Sequence, residues 1–348
     1  MSKPKLSIFK RVVLVVLSIL LALVLTAAIL LIVFGNSILN MINRFEHDDQ
    51  TLSDEQLESI LQETDALDPS FSGPVIDNTD TELPDQAVDT IPDSDNVINI
   101  LLIGQDRRDG NIRQRSDAMI LCTLNKKEKT LTMTSFLRDT WVRIPGYYDE
   151  RLNVPYAIRS GGFKLLNETL EYNFGVKVDH NFEVDFSGFK GAIDKVGGVT
   201  VKLTSAEANY INKQNKEWSL SAGENLLNGS QALVYSRIRA LDNDIVRSSR
   251  QRNVLNALFE KAKTLDLPEL YHLTEELLPL LRTDMSNAEI IQFIIELIPI
   301  LPELKIVSQR IPADNAYAFA RIDGKSVLYM SPENLEKNRQ LLKDTIGE

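Results

Sequence analysis

The chain has 348 residues, 43% hydrophobic and 25% charged, with a net charge of −11 at pH 7, a composition that excludes disorder as a whole. The acidity is local: residues 1–45 hold five Lys or Arg and no acid, residues 46–95 hold sixteen acids and no Lys or Arg, and the rest is balanced with 33 of each. No basic surface for duplex nucleic acid stands out. The single cysteine, Cys122, rules out an intrachain disulfide or a CxxC metal site.

Val12 to Phe34 is apolar apart from Ser18 and Thr26. At about 1.5 Å per residue the run spans roughly 34 Å, enough for a hydrocarbon core of about 30 Å. A cleaved signal peptide has a shorter apolar core and a polar start after its small-residue cleavage site. Here Ala27-Ala28 is followed by Ile-Leu-Leu-Ile-Val-Phe. Residues 12–34 are therefore expected to form an uncleaved, single-pass membrane anchor. Lys3, Lys5, Lys10 and Arg11 precede it and acids follow, which places residues 1–11 in the cytoplasm and the remainder outside the cell membrane. Residues 35–96 read as an acidic extracytoplasmic linker, extended by like charges, with one helix over 53–67 opened by a Ser53–Gln56 capping box.

From Val97 the texture changes, and 97–348 reads as one domain. Val97–Ile103 is a buried-strand run ended by Gly104. Met119–Thr123 and Thr130–Ser135 read as a hairpin turning through Asn125–Lys129, with Cys122 as a small buried hydrophobe. Helices are expected over 162–174, 187–196 and 247–265, and strands over 181–186 and 199–203. Residues 232–237 read as a helix end or a strand. Amphipathic helices over 268–299 precede late strands over 304–311 and 317–322. The helices after residue 263 read as hydrophobic core, with enclosure of a lipid as the alternative. Strands alternating with helices predict an α/β fold, a mixed central β-sheet flanked by helices on both faces.

Charge gathers where these strands end. The clusters are Gly104-Gln-Asp-Arg-Arg-Asp-Gly110, Arg115-Ser-Asp117, Ser135-Phe-Leu-Arg-Asp139, and Arg237-Ile-Arg239 leading through Asp242 and Asp244 to Arg247, Arg250, Gln251 and Arg252. Arg247, Arg250 and Gln251 are spaced i, i+3, i+4 and share one helix face. That face lies at a helix N-terminus, where cations are disfavoured unless an anion lies among them. Guanidinium forks bind phosphate bidentately and keep their charge when half buried. Ion pairing with Asp139, Asp242 and Asp244 is the competing role for single arginines. Asp106 and Asp117 lie at the end of one strand and the start of the next. If those strands are neighbours, the two carboxylates can share a hard cation; helix or turn capping is the other reading.

These clusters carry a resemblance. Asn99–Leu258 resembles the LytR–CpsA–Psr family of envelope proteins, with its motif core over 97–262. The matching stretches are Asn99-Ile-Leu-Leu-Ile-Gly104 with Asp106 and Arg108, Arg115-Ser-Asp117, Ser135–Asp139, Leu152-Asn153 with Tyr156-Ala157, Phe186-Ser-Gly-Phe189, Val196-Gly-Gly-Val199, Leu227–Ala232, Arg237-Ile-Arg239 and Asp244 to Gln251. The resemblance implies a phosphotransferase that moves a glycopolymer, such as teichoic acid or capsule, from a polyprenyl-(pyro)phosphate carrier in the membrane lipid to peptidoglycan. It implies Mg²⁺ or Mn²⁺ held by Asp106 and Asp117. It gives the pyrophosphate to Arg115, Arg138, Arg237, Arg239 and Arg247 with Gln251, and places Arg108, Asp139, Arg151, Asp244 and Arg250 at the substrate. Arg151 stands where the family often has lysine, Leu137 where proline is common, and Ala240-Leu241 where a polar or basic residue is frequent. A polyprenyl-pyrophosphate hydrolase and a non-catalytic polymer-binding or regulatory protein are the alternatives that the same residues leave open.

Overall fold

A computed structural model describes residues 40, 42–44, 81, 83–105, 115–158 and 162–346. The expected anchor over 12–34 and the helix over 53–67 lie outside the described residues, among which no helix is long and apolar enough to cross a membrane. The strands are β1 (Asn43–Arg44), β2 (Val97–Gln105), β3 (Ser116–Asn125), β4 (Thr130–Phe136), β5 (Trp141–Arg143), β6 (Asp149–Arg151), β7 (His180–Asp185), β8 (Val199–Leu203), β9 (Gly223–Leu227), β10 (Arg282–Thr283), β11 (Lys305–Ile311), β12 (Ala318–Ile322) and β13 (Lys325–Tyr329). The helices are α1 (Gly162–Phe174), α2 (Phe186–Lys195), α3 (Ser205–Asn212), α4 (Gly229–Ser236), α5 (Asp244–Ala262), α6 (Leu267–Leu277), α7 (Asn287–Leu297) and α8 (Pro332–Ile346).

A seven-stranded sheet in the order β1-β10-β7-β2-β3-β4-β11 is mixed: β2 pairs with β7 and β4 with β11 in parallel, while β3 runs antiparallel to both β2 and β4. Alternation along the strands divides the apolar residues between two faces. Leu101, Ile103, Met119 and Leu121 meet Leu166, Leu170 and Phe174 of α1 and Leu342 and Ile346 of α8. Ile100, Ile120, Cys122 and Met133 face Leu255 and Phe259 of α5, Leu270 of α6, and Phe293 and Leu297 of α7. A third cluster joins α2, α3, α4 and the antiparallel β8–β9 pair to Val254 of α5. Helix α5 thus stands between this cluster and the sheet.

The expected linker does not run free to Val97. Leu83 and Ile91 are buried, and Val88 and Ile91 donate backbone hydrogen bonds to Tyr172 O (3.0 Å) and Gly175 O (2.8 Å) at the end of α1. Gly175 has φ of +72°, and a Cβ there would fall 2.4 Å from Asp89 O, so glycine permits the close approach. Scattered apolar residues among the acids attach this stretch.

Burial alone pushes the Cys122 thiol up to about 12. In the folded chain it should resist iodoacetamide at pH 8 and be alkylated once guanidinium unfolds the domain, as counted by intact mass. Alkylation of the native chain at the unfolded rate would contradict its place in the core.

Candidate functional site

Three chain segments converge at the ends of β2, β3 and β4. Residue Asn153, after β6, donates its N–H to Arg138 O (3.2 Å) and accepts from Ser116 N (3.4 Å). This one residue ties the segment after β4 to the start of β3. Strand β6 pairs with β5, with Trp141 opposite Arg151, and that pairing sets the buried Arg151 3.6 Å from Asp139. From the other side comes the first turn of α5, capped by Asn243, which accepts from Val246 N–H. Asp244 opens the helix, where the macrodipole favours a carboxylate. It bridges two arginines, at 3.5 Å from Arg138 and 2.6 Å from Arg247. Arg138 also lies 3.5 Å from Asp139. The segment after β4 and the start of α5 are thereby joined through charge. One turn further on, the buried Arg252 donates to Ser135 Oγ at 2.6 Å. Burial, and then the neighbouring Arg310, lower that guanidinium to about 10.

These groups stand at one end of a cavity of about 1100 Å³ between the sheet and α5, α6 and α7. Arg115, Arg138, Arg237, Arg239, Arg247 and Gln251 line it together with Gly104 and Ala118 at the strand ends. Its other end is reached along Cys122, Leu124 and Leu131 of the β3–β4 hairpin and Leu258, Phe259 and Ala262 of α5. From Arg247 to Ala262 the helix rises about 22 Å. Leu273 and Leu277 of α6 and Phe293 and Leu297 of α7 close the apolar length. The helices after residue 263 are therefore cavity wall as well as core, which revises the core assignment. An apolar channel with guanidinium groups at one end suits a ligand with a long hydrocarbon chain and an anionic head.

A model of the LytR_cpsA_psr family matches residues 70–344. The chain belongs to this family. It is 36% identical over 173 residues to polyisoprenyl-teichoic acid–peptidoglycan teichoic acid transferase TagT of Bacillus subtilis (strain 168), an overlap of 48% of this chain and 53% of that protein. The chain thus spans about half the length of that relative. Over 269 residues it is 32% identical to biofilm regulatory protein A of Streptococcus mutans, covering 72% of this chain and 64% of that one. A solved structure of the LytR-CPS2A-psr family protein YwtF (TagT) with bound octaprenyl pyrophosphate lipid superposes with a TM-score of 0.56 at 27% identity, covering 77% of this chain and 99% of that chain.

Within this LytR_cpsA_psr chain the expected site residues divide. Arg115, Arg138, Arg237, Arg239, Arg247 and Gln251 share the cavity, with Asp139, Arg151 and Asp244 beside them through ion pairs. Arg237 stacks at 4.2 Å over the Phe186 ring, which holds its guanidinium at the mouth. Arg250 turns away. Its Nε donates to Glu207 Oε1 at 2.7 Å, its Nη1 to Asp242 Oδ1 at 2.9 Å and to Ile238 O at 3.2 Å. It braces α5 against α3 and the segment after α4, so it is a structural ion pair and not a ligand at this cavity. The i+3 spacing put Arg250 near Arg247, but a difference of about 60° around the helix was enough to aim it at another layer.

Asp106 and Arg108 lie outside the described residues. Asp117 belongs to β3. Strands β2 and β3 are neighbours, as a shared cation requires, and their register skips one residue: Gly104 pairs with Ala118 and Gln105 with Ser116. A β-bulge therefore falls at Asp117, of the kind that re-aims backbone beside functional sites. Among the described residues no group of three or more His, Cys, Asp or Glu is arranged to hold a metal. Two acids at the cavity were not read from the sequence: Glu183 and, at the end of β7, Asp185. The same strand-end logic that drew attention to Arg138 would have found Asp185.

Proposed function

We propose that this chain is a membrane-anchored, metal-assisted phosphotransferase that moves a glycopolymer, teichoic acid, capsule or similar, from a polyprenyl-pyrophosphate carrier to peptidoglycan. The observation that carries this reading is the sorting of one cavity into an arginine end and an apolar length. The TagT relative's name and the octaprenyl pyrophosphate in the YwtF (TagT) structure support the same donor class. In this reading the hydrocarbon chain lies along α5, and the pyrophosphate lies among Arg115, Arg138, Arg237, Arg239 and Arg247. Phosphoryl transfer asks for positioning and charge neutralisation more than for a covalent nucleophile. Asp244 fixes Arg138 and Arg247 against each other before the donor arrives, so little reorganisation is needed as charge builds on the leaving phosphate.

Asp106 and Asp117 suit a hard cation, because they follow and interrupt a paired strand end at Gln105–Ser116. Mg²⁺ or Mn²⁺ bound there would neutralise phosphate oxygens alongside the arginines. The anchor over 12–34 would keep the domain on the outer membrane surface, where its donor is concentrated.

Purified full-length chain, given a lipid-linked glycopolymer and Mg²⁺, should form a polymer–peptidoglycan phosphodiester only when peptidoglycan fragments are added. Equal breakdown of the donor with and without fragments would replace the transferase reading with a hydrolase. A second measurement probes the channel. Leu277→Trp, which fills the apolar length, should weaken binding of a long-chain polyprenyl pyrophosphate by about 10-fold or more while leaving inorganic pyrophosphate unaffected. Unchanged affinity for the long-chain lipid would place the hydrocarbon elsewhere.

A further inference from the structure

A second space opens at this end of the sheet. It is a cleft of about 940 Å³, mostly polar, lined by Asn40, Arg44, Glu183, Asp185, Ser187 and Arg282. Glu183 and Asp185 line the donor cavity as well. The two spaces therefore meet at the C-terminal end of β7, a strand end of the sort where open α/β sheets place their ligands.

The two shared carboxylates differ in what they are free to do. Glu183 is buried, accepts from Gln105 Nε2 at 2.7 Å and from the Tyr156 hydroxyl, and lies 3.6 Å from Arg282. Asp185 is only half buried. Its Oδ1 accepts the Gly188 N–H at 2.7 Å as the N-cap of α2. Among the described residues no donor reaches its Oδ2. Register places Asp185 beside Gln105, and Gln105 beside Ser116. Asp185 therefore stands about 4.8 Å, one strand spacing, from the end of β2 that leads into Asp106. Its chain neighbour Phe186 carries Arg237 at 4.2 Å. One oxygen of Asp185 thus stands between the arginine end of the donor cavity and a polar cleft.

We propose that this polar cleft binds the acceptor, a sugar bearing a free hydroxyl, and that Asp185 is the catalytic carboxylate that orients the hydroxyl and takes its proton. The inference rests on the transferase reading and gives it an acceptor site. The acceptor oxygen forms a bond to the phosphorus that carries the glycopolymer. The bond from that phosphorus to the oxygen shared with the carrier phosphate breaks, and its electron pair leaves with polyprenyl monophosphate, held by the arginines. The proton of the hydroxyl ends on Asp185, the role that a carboxylate commonly takes toward an attacking hydroxyl in phosphoryl transfer. Ser187, exposed in the first turn of α2, lies on the acceptor side of Asp185.

Two variants of the full-length chain test this in lipid nanodiscs, with lipid-linked glycopolymer as donor and peptidoglycan fragments as acceptor. Asp185→Asn keeps an efficient N-cap, so α2 survives, but it removes the proton acceptor. Its kcat for transfer should fall about 100-fold or more, with donor affinity unchanged. Ser187→Trp, which fills the cleft, should raise the acceptor KM about 10-fold while donor affinity stays the same. Transfer by Asp185→Asn at close to the wild-type rate, or an unchanged acceptor KM in Ser187→Trp, overturns the proposal while leaving the transferase reading standing. Absence of transfer by the wild-type chain overturns that reading and this inference with it.

Discussion

Arg138→Ala should lower glycopolymer transfer by about 10²–10³-fold, the scale seen when one preorganised charge-stabilising donor is removed from a reaction site. Arg138 is only 11% exposed in its side chain and lies 3.5 Å from both Asp139 and Asp244. Its removal does two kinds of damage. On the proposed reading one fork for the donor phosphates is lost, and Asp139 and Asp244 lose a cation that offset them, so the arginine end becomes less attractive to an anion. Arg138→Lys restores charge without the planar fork and should recover only part of the rate. Asp244→Asn gives a matched comparison, since it keeps a helix-start polar group while loosening both Arg138 and Arg247. Rates close to wild type for Arg138→Ala, measured with the variant shown to be folded, would remove this arginine from the chemistry.

The second large effect falls on stability. Arg250→Met should destabilise the domain by about 3–5 kcal/mol, because it leaves Glu207 and Asp242 facing no cation inside the packing of α3 and α5. Arg250 is 3% exposed and Glu207 is 7% exposed. Burial alone would raise the Glu207 carboxyl, but the Thr204 backbone and hydroxyl donors and the Arg250 guanidinium outweigh it and hold Glu207 below the ordinary carboxylate range. A carboxyl held low in the folded state adds stability that is fully present above its unfolded value, about 4.3 for Glu. That contribution fades as the pH falls through the folded value. The gap between wild type and Arg250→Met in denaturant melts should therefore be wide at pH 7 and narrow below about pH 4. A gap of the same size across that range would show that the lost packing of the side chain, and not the ion pair, sets the cost. Donor affinity of the folded variant should change little, which separates Arg250 from Arg247 one turn away.

Much of the fold is legible in the chain. Val97–Ile103 is apolar at every position but Asn99, and Gly162–Phe174 and Val199–Leu203 have boundaries set by glycine and by periodicity. Strand β9 was not legible. Its sequence Gly-Glu-Asn-Leu-Leu has no strand preference and takes its conformation from pairing with β8. The same holds for β10, two residues that owe their place to β7 and β1. Charged residues at strand ends pointed to Arg115, Arg138 and Arg247, because strand ends meet regardless of how loops run between them. The cavity was hidden for a different reason. Leu273, Leu277, Phe293 and Leu297 have the spacing of any amphipathic helix, and nothing in one sequence separates an apolar face that packs from one that stands off the sheet. Asp185 was hidden by its capping role, since Asp before a helix calls for no further explanation.

The measurement that most directly tests the central claim is a crystal structure of the domain over residues 97–348 with a polyprenyl pyrophosphate and Mg²⁺. Both phosphates are expected among Arg115, Arg138, Arg237, Arg239 and Arg247, with the hydrocarbon running along α5 between Leu277, Phe293 and Phe259. Phosphates bound away from these arginines, or a hydrocarbon chain lying outside the cavity, would contradict that claim.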